Sequence, residues 1–218
     1  GSLDLSCLEM LILDEADRML DMGFKQDMEA IIAAAPSQRQ SLMFTATLDA
    51  SSEDLARKIL KNPVQIKINA RTLTHDSIGQ KLHIADNLNH KVRILQHLAN
   101  QESVSRAIIF SATKRGADRL AQELVSEGHR AEALHGDMNQ AARNKAFRNL
   151  RQGRTRLLVA TDVAARGLDV HGISHVINFD LPQVSEDYVH RIGRTGRAGA
   201  SGTAISLVSE WPDVARLI

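Results

Sequence analysis

Two adjacent carboxylates follow the first apolar run of the chain and could take part in phosphate chemistry. Residues 8–13 predict a strand, and Asp14-Glu15-Ala16-Asp17 comes directly after it. Because α/β sheets bind ligands beyond the carboxyl ends of their strands, Asp14 could hold Mg²⁺, often through water, and Glu15 could orient or deprotonate an attacking water. The alternative is an acidic helix N-terminus, which the helix dipole also favours.

An arginine-rich segment near the other end of the chain also predicts phosphate contact. It reads His190-Arg191-Ile192-Gly193-Arg194-Thr195-Gly196-Arg197, with three arginines at three-residue spacing. A purely structural role is costly, because like charges would crowd and glycines weaken a helix. Glycine lets the backbone approach a ligand closely, and a guanidinium group matches phosphate oxygens bidentately. The segment therefore predicts an arginine finger for phosphoryl transfer.

Two further segments carry weaker signals. Thr45-Ala46-Thr47 follows a second predicted strand, and its hydroxyls could bind carboxylates of the neighbouring strand end or serve only as a cap or turn. Thr161-Asp162 follows another strand and reads as a helix N-cap. There, exposed N–H groups could hold a phosphate, and Asp169 could bind a ribose hydroxyl.

Alternating strands and helices must position these residues. Short apolar runs separated by amphipathic stretches predict an α/β fold, with parallel sheets covered by helices on both faces. The predicted strands are 8–13, 41–46, 64–68, 80–85, 107–110, 131–134, 156–160, 175–179 and 203–208. The predicted helices are 26–35, 51–60 (capped by Ser51), 90–100, 114–127, 140–151 and 185–192.

Charge divides the chain in two. The net charge of +1 over 218 residues, taken alone, predicts no nucleic-acid partner. Residues 1–70 hold 7 Lys+Arg and 11 Asp+Glu, whereas residues 71–218 hold 20 and 15, so the two parts carry −4 and +5. The polar stretch 69–77 predicts a linker between them. We expect a first domain portion at 1–70, a linker at 71–78 and a second domain at 79–218, with phosphates bound by the positive part.

Composition excludes several classes of protein. A hydrophobic content of 43% argues against a disordered chain. The single cysteine, Cys7, excludes an internal disulfide framework and fits a reducing compartment, so we expect a cytoplasmic location. No apolar run approaches the ~20 residues of a membrane span, so no membrane partner is expected. Aromatic residues make up 3%, which disfavours binding that depends mainly on base stacking.

Taken together, these motifs resemble motifs II, III, V and VI of the DEAD-box ATP-dependent RNA helicases. The sequence as a whole is most similar to bacterial members of that family. Ile108-Ile109-Phe110 is similar to motif IV of that family, and His135-Gly136-Asp137 with Gln140–Arg143 is similar to motif IVa. The resemblance implies two RecA-like domains joined by a linker, with ATP in the cleft and single-stranded RNA crossing both domains. It implies RNA recognition without base specificity.

The resemblance also implies a role for each matching residue. Asp14 would act on Mg²⁺, Glu15 would activate the hydrolytic water, and Asp169 would touch the ATP ribose. Arg194 and Arg197 would reach the γ-phosphate. The interdomain motif network would comprise Asp17, Thr45, Thr47 and His190, and the RNA backbone contacts would be Gly136, Arg143 and Thr161. Two bland alternatives stay open: Arg143 as a solvated helix charge and Gly136 as an ordinary turn glycine.

The chain departs from the family pattern in two places. Motif III begins with Thr45 instead of Ser, which keeps the hydroxyl. No G-x-x-x-x-G-K segment is present to cradle phosphates. We therefore expect a fragment that lacks the P-loop half of the first domain and hydrolyses ATP negligibly, although its parent would be an RNA helicase. The alternatives are an ATPase-inactive module that binds RNA backbone and, less favoured, a DNA helicase of the same superfamily.

Overall fold

The computed structural model describes residues 4–67, 77–165, 170–197 and 199–209. The chain divides into two compact units, Gly1–Asn69 and Ala70–Ile218. Of the predicted linker 71–78, only Ser77 and Ile78 fall among the described residues, and Ile78 already begins the first strand of the second unit. The rest of that linker prediction lies outside the described residues.

The first unit contains a two-stranded parallel sheet and three helices in its described part. In chain order these are β1 (Met10–Leu13), α1 (Ala16–Asp21), α2 (Lys25–Ala34), β2 (Gln40–Met43) and α3 (Ala50–Ile59). The strands pair in register from Met10 with Gln40 to Leu13 with Met43, so their carboxyl ends lie side by side. The small core beneath them is formed by Ala16, Met28, Leu55 and Ile59.

Two sequence predictions are wrong in this unit. The segment predicted as a strand over 64–68 is not one at 64–67, where it pairs with neither β1 nor β2, and Ile68 lies outside the described residues. Val64 and Ile66 are accordingly 88% and 83% exposed, since a lone apolar run without a hydrogen-bonded neighbour cannot form a sheet. Helix α3 is capped by Asp49 instead of Ser51, because the Asp49 carboxylate accepts from the Ser52 N–H at 2.8 Å.

Over the residues that the structure describes, the second unit is a six-stranded parallel sheet with helices on both faces. Its elements are β3 (Ile78–Ile84), α4 (Leu88–Ala99), β4 (Ala107–Phe110), α5 (Lys114–Ser126), β5 (Ala131–Leu134), α6 (Gln140–Arg151), β6 (Leu157–Ala160), α7 (Asp162–Ala165), β7 (His175–Asn178), α8 (Ser185–Ile192) and β8 (Gly202–Val208). The strand order is β3-β8-β7-β4-β6-β5. The predicted fold class is confirmed.

Alternate residues of the central strands build two separate cores. Every residue of β4, β6 and β7 is buried. Ile109, Val159 and Ile177 face α4 and α5, whereas the residues one position earlier belong to the cluster under α6 and α7. Such continuous apolar strands are expected where both faces are covered. None of the helices in the described ranges combines the length and apolar character needed to cross a membrane.

Candidate functional site

The carboxylates of the first unit lie at the carboxyl end of β1, as the sequence predicted. Asp14 is exposed and Glu15 is half-buried. Glu15 has φ 51° and ψ 46°, a left-handed conformation that costs energy for a residue with a side chain and is concentrated at functional sites. The Glu15 N–H donates to the Asp14 carboxylate at 3.0 Å. Because α1 begins at the next residue, these acids also stand at a helix N-terminus, so the two interpretations coincide in space.

Asp17 ties the loop after β2 to the start of α1. One of its carboxylate oxygens accepts from the Thr47 N–H at 2.8 Å, the Thr47 hydroxyl at 2.9 Å and the Ala46 N–H at 3.2 Å. Its other oxygen accepts from the Arg18 N–H at 3.0 Å. Burial acts to raise the pKa of Asp17, but the hydrogen bonds from Thr47, Arg18 and Thr45 outweigh it and lower that pKa.

Three of the four residues predicted as a motif network therefore meet within the first unit. Asp17 and Thr47 bond directly, and the Thr45 hydroxyl donates to the Thr47 carbonyl at 2.6 Å, which fixes the turn that carries both threonines. The fourth member, His190, lies half-buried in the last turn of α8 in the second unit.

The predicted RNA-contacting residues of the second unit gather beyond the carboxyl ends of neighbouring strands; this side of the sheet is called its carboxyl edge below. Gly136 follows β5, Thr161 follows β6, and these strands are neighbours. The Thr161 N–H donates to the Leu134 carbonyl at 3.1 Å, so the turn after β6 lies against the end of β5. Arg143 is in the first turn of α6, which leaves the same edge and is capped by Asn139.

The fold itself does not explain Gly136. Its φ is not positive, and a Cβ added there would meet only the Lys114 Cε, at the ordinary distance of 3.7 Å, among the described residues. Gly136 is exposed. Neither turn geometry nor internal packing therefore requires a glycine, which is left as a place where a ligand could approach the backbone. Gly136 does lie in a turn, since the Met138 N–H donates to the His135 carbonyl at 3.2 Å, but the conformation of that turn does not demand a glycine.

Arg143 is not an ordinary solvated charge. Its side chain is half-buried, and its Nε is buried without a hydrogen-bond partner among the described residues. A buried guanidinium N–H without an acceptor is uncommon in folded proteins. The backbone N–H of Arg143 donates to the Asn139 carbonyl at 3.1 Å, so the first turn of α6, which carries this arginine, is well defined.

A histidine–carboxylate contact and an ion pair, neither of which the sequence predicted, flank Gly136. The buried His135 contacts the Asp118 carboxylate through its Nε2 at 2.9 Å. On the other side, Lys114 pairs with Asp137, which holds the pKa of the Asp137 carboxyl below its usual value. Lys114 is the first residue of α5, after the N-cap Thr113, and its position shortly beyond the end of β4 is the signal that could have indicated it.

Arg191, the first arginine of the arginine-rich segment, has an internal role. It is 3% exposed, and its guanidinium donates bidentately to Asp162 at 2.6 and 2.7 Å. It also donates to the Asn178 side chain and the Asp180 carbonyl, and it lies over the Phe110 ring. Arg191 therefore links α8 to the ends of β4, β6 and β7. The sequence analysis assigned the γ-phosphate contact to Arg194 and Arg197 and gave Arg191 no separate role.

Arg194 and Arg197 lie at the amino edge of the sheet, where the strands begin, on the side away from Gly136 and Thr161. The Thr195 hydroxyl donates to the Ile173 carbonyl at 2.5 Å, just before β7 begins. Gly196, with φ 66°, lies against the start of β3, where a Cβ would come within 2.6 Å of the Ile78 side chain. Arg194 and Arg197 are half-buried, and the Arg197 Nε donates to the Gly193 carbonyl at 2.7 Å. The predicted ribose contact, Asp169, lies outside the described residues.

Family models match both parts of the chain. Residues 2–55 match a DEAD/DEAH box helicase model, and residues 90–199 match a helicase conserved C-terminal domain model. The chain is similar to the Escherichia coli ATP-dependent RNA helicase SrmB, with 47% identity over 206 residues, which cover 94% of this chain and 46% of that relative. It thus spans less than half the length of SrmB.

Solved structures agree with this similarity. Saccharomyces cerevisiae Dbp5 bound to RNA and ADP BeF3 matches 99% of this chain and 57% of its own, with a TM-score of 0.86 and 34% identity. The E. coli DEAD-box protein SrmB bound to regulator of ribonuclease activity A matches with a TM-score of 0.62 and 44% identity, over 64% of this chain and 84% of that one. The chain belongs to the DEAD-box helicase family, and the resemblance seen in the motifs is confirmed.

Proposed function

We propose that this chain is the RNA-gripping part of an ATP-dependent helicase that separates short RNA duplexes or remodels RNA–protein complexes. The observation that carries the proposal is the convergence of Gly136, Thr161 and Arg143 at one sheet edge, with a glycine that the fold does not require. The relatives support it, since SrmB is named an ATP-dependent RNA helicase and Dbp5 was solved with RNA.

These groups suit the RNA backbone better than the bases. A backbone approach at Gly136, a hydroxyl on Thr161 and a guanidinium on Arg143 match phosphate oxygens and ribose 2′-hydroxyls. Recognition through such contacts carries little sequence information. The unit that contains these groups has the positive charge of the chain, +5 over residues 71–218. Binding should therefore be sequence-tolerant and should weaken as salt rises.

We assign nucleotide chemistry to a second group of residues. Asp14 would hold Mg²⁺ and Glu15 would orient the attacking water, while Arg194 and Arg197 would bind γ-phosphate oxygens and Asp169 the ribose. Among the described residues no group of three or more His, Cys, Asp or Glu could hold a metal ion. Asp14 and Glu15 still fit Mg²⁺, which usually takes one or two carboxylates and completes its shell with water and phosphate. When bound, ATP with Mg²⁺ supplies the free energy of hydrolysis.

The 218 residues include no G-x-x-x-x-G-K segment, and this supports an ATPase-inactive RNA-binding module as the second candidate. We expect the purified chain to release phosphate from ATP no faster than its Glu15→Gln variant, with or without RNA. RNA-stimulated release above that control would contradict this expectation and favour a complete motor. We propose the cytoplasm as its location, where ATP and RNA meet and Cys7 stays reduced.

RNA binding by the whole chain tests the main proposal. Fluorescence anisotropy of a labelled 20-nucleotide oligouridine is measured with the unchanged chain, with Arg143→Gln and with Arg148→Gln, whose side chain is exposed on the same helix. We expect Arg143→Gln to weaken binding about tenfold and Arg148→Gln to weaken it by less than about threefold. A DNA oligonucleotide of matching sequence should bind more weakly, because it lacks 2′-hydroxyls.

Two results would contradict the proposal. The first is an absence of RNA binding by the unchanged chain at low salt. The second is an equal loss of affinity in the two arginine variants, because it would reduce the role of Arg143 to general charge. Tighter binding of the DNA oligonucleotide would instead favour the DNA helicase alternative.

A further inference from the structure

An ion pair at the proposed RNA edge joins the start of α5 to the loop after β5. Lys114 is the first residue of α5, directly beyond β4, and its Nζ pairs with a carboxylate oxygen of Asp137, beyond β5. The two side chains are 53% and 67% exposed. An exposed pair of this kind adds little to stability, so the fold gains little from it.

Other contacts already hold both loops. The loop after β5 is fixed from below by His135, whose side chain is 10% exposed and bonds to Asp118 at 2.9 Å. The start of α5 is fixed by Thr113, whose hydroxyl accepts from the Gly116 N–H at 3.0 Å. Lys114 and Asp137 can therefore separate without releasing either loop.

The lysine also stands over the glycine that the fold does not explain. Its Cε would lie 3.7 Å from a Cβ on Gly136, so the lysine side chain lies beside the exposed Gly136 backbone. A strand of RNA whose phosphates approached that backbone would come within reach of the Lys114 ammonium. Asp137, an acid at the same edge, would oppose that approach while it neutralises the lysine.

We propose that Lys114 is a further RNA phosphate ligand. In the absence of RNA its ammonium pairs with Asp137, and on binding a phosphate replaces that carboxylate. This inference rests on the proposed RNA edge and deepens it. The exchange is a substitution of one anion for another on the same ammonium, and no covalent bond changes. Asp137 thereby weakens RNA binding, because the phosphate that binds Lys114 must displace it.

The salt dependence of RNA binding measures the phosphate contact separately from the structure of the loop. Each phosphate neutralised on a single strand contributes about 0.7 to the slope of log K against log salt. We expect Lys114→Gln to weaken binding of the labelled oligouridine about three- to tenfold at low salt and to reduce that slope by about 0.7. A lysine with a purely structural role would leave the slope unchanged.

Asp137→Asn should change RNA affinity in the opposite direction to Lys114→Gln. Removal of the competing carboxylate should tighten binding about two- to fivefold at low salt. In the Lys114→Gln background the same change should gain much less, since the cation that Asp137 neutralises is gone. Lys81→Gln is the matched control, because this exposed lysine lies on β3 at the other end of the sheet. It should leave the slope within error of the unchanged chain.

The outcomes separate this inference from the function on which it rests. A lower slope in Lys114→Gln together with a gain in Asp137→Asn that depends on Lys114 supports it. An unchanged slope in Lys114→Gln, or equal gains from Asp137→Asn with and without Lys114, would overturn it while RNA binding and its sensitivity to Arg143 persist. If RNA binding is insensitive to Arg143 as well, the proposed RNA edge itself is wrong.

Discussion

Gly136 and Asp17 illustrate at the residue scale how a side chain, or its absence, reports on function. Gly136 is exposed, has no positive φ and has room for a methyl group, so its lack of a side chain serves no visible purpose within the fold. Asp17 is buried and accepts hydrogen bonds from the loop after β2 and from the Arg18 N–H in α1, so its charge has a clear internal purpose.

Gly136→Ala separates the fold from the RNA contact. An alanine is compatible with the observed backbone and should leave the free energy of unfolding unchanged or raise it by less than about 1 kcal/mol. The added methyl group should weaken RNA affinity about tenfold by holding the phosphate backbone away. Urea unfolding and anisotropy on the same preparation measure both quantities. Destabilisation with unchanged affinity would show that the glycine is structural after all.

The lowered pKa of Asp17 predicts a pH dependence with a defined sign. Since its folded-state pKa lies below the ordinary value of 3.8, its stabilisation is fully present above that pH and is lost as pH falls through the folded pKa. The Ala46 and Thr47 amide proton shifts should therefore titrate together with a midpoint below 3.8. NMR spectra of the chain recorded against pH measure this midpoint. Asp17→Asn should abolish the transition, whereas a midpoint above 3.8 would contradict the assignment.

Sequence reasoning paired the right residues in the first unit but did not find the internal role of Arg191 in the second. Asp17 and the two threonines were predicted together because hydroxyls after one parallel strand reach carboxylates after its neighbour. Arg191, Arg194 and Arg197 have the same residue type and spacing. Only the packing of α8 decides that Arg191 turns inward to Asp162 while the other two follow the helix to the far edge.

At the element scale, α8 connects the two edges of the second sheet. The side chain of Arg191 points back along the helix to the carboxyl ends of β4, β6 and β7, as helical side chains tend to do. The segment that follows α8 is fixed at the amino ends of β7 and β3 by Thr195 and Gly196. A single element thus fixes the position of the proposed γ-phosphate ligands relative to the proposed RNA edge.

Arg191→Lys tests this connection. A lysine cannot reproduce the bidentate pair with Asp162, and a partly broken buried pair should cost about 3 kcal/mol of stability. Thermal unfolding followed by circular dichroism should show a clear drop in Tm. Arg115→Lys, an exposed arginine on α5, is the matched control and should shift Tm little. Equal Tm values for the two variants would show that the Arg191 contacts do not stabilise the link between α8 and the strand ends.

Most elements could be predicted from the sequence because short apolar strands alternate with longer amphipathic helices. The helices at 140–151 and 185–192 and the strands at 107–110 and 131–134 have the predicted bounds. For the short helices α1 and α7 only the starts were offered, as an acidic helix N-terminus and as the cap at Thr161-Asp162. Their ranges were not predicted, because 6 and 4 residues are too few to show a helical period. The failed strand at 64–67 had the right composition, but pairing depends on a neighbouring strand that no local pattern reports.

At the scale of the whole molecule, the two units differ in the size of their cores and in charge. The second unit has two extensive buried clusters, and the first has a small one. The net charge of +1 conceals −4 on the part with Asp14 and Glu15 and +5 on the part with the arginines. The total therefore gives no guidance about nucleic acid, whereas the division points to the second unit as the phosphate-binding one.

The most direct test of the central claim is a map of where RNA lies on the chain. Oligouridine that contains 4-thiouridine is cross-linked to the whole chain, and the linked peptides are identified by mass spectrometry. We predict cross-links within 135–143 and 160–165, at the carboxyl ends of β5 and β6. Cross-links concentrated instead at 103–106 and 171–174, beside the amino ends of β4 and β7, would contradict the account.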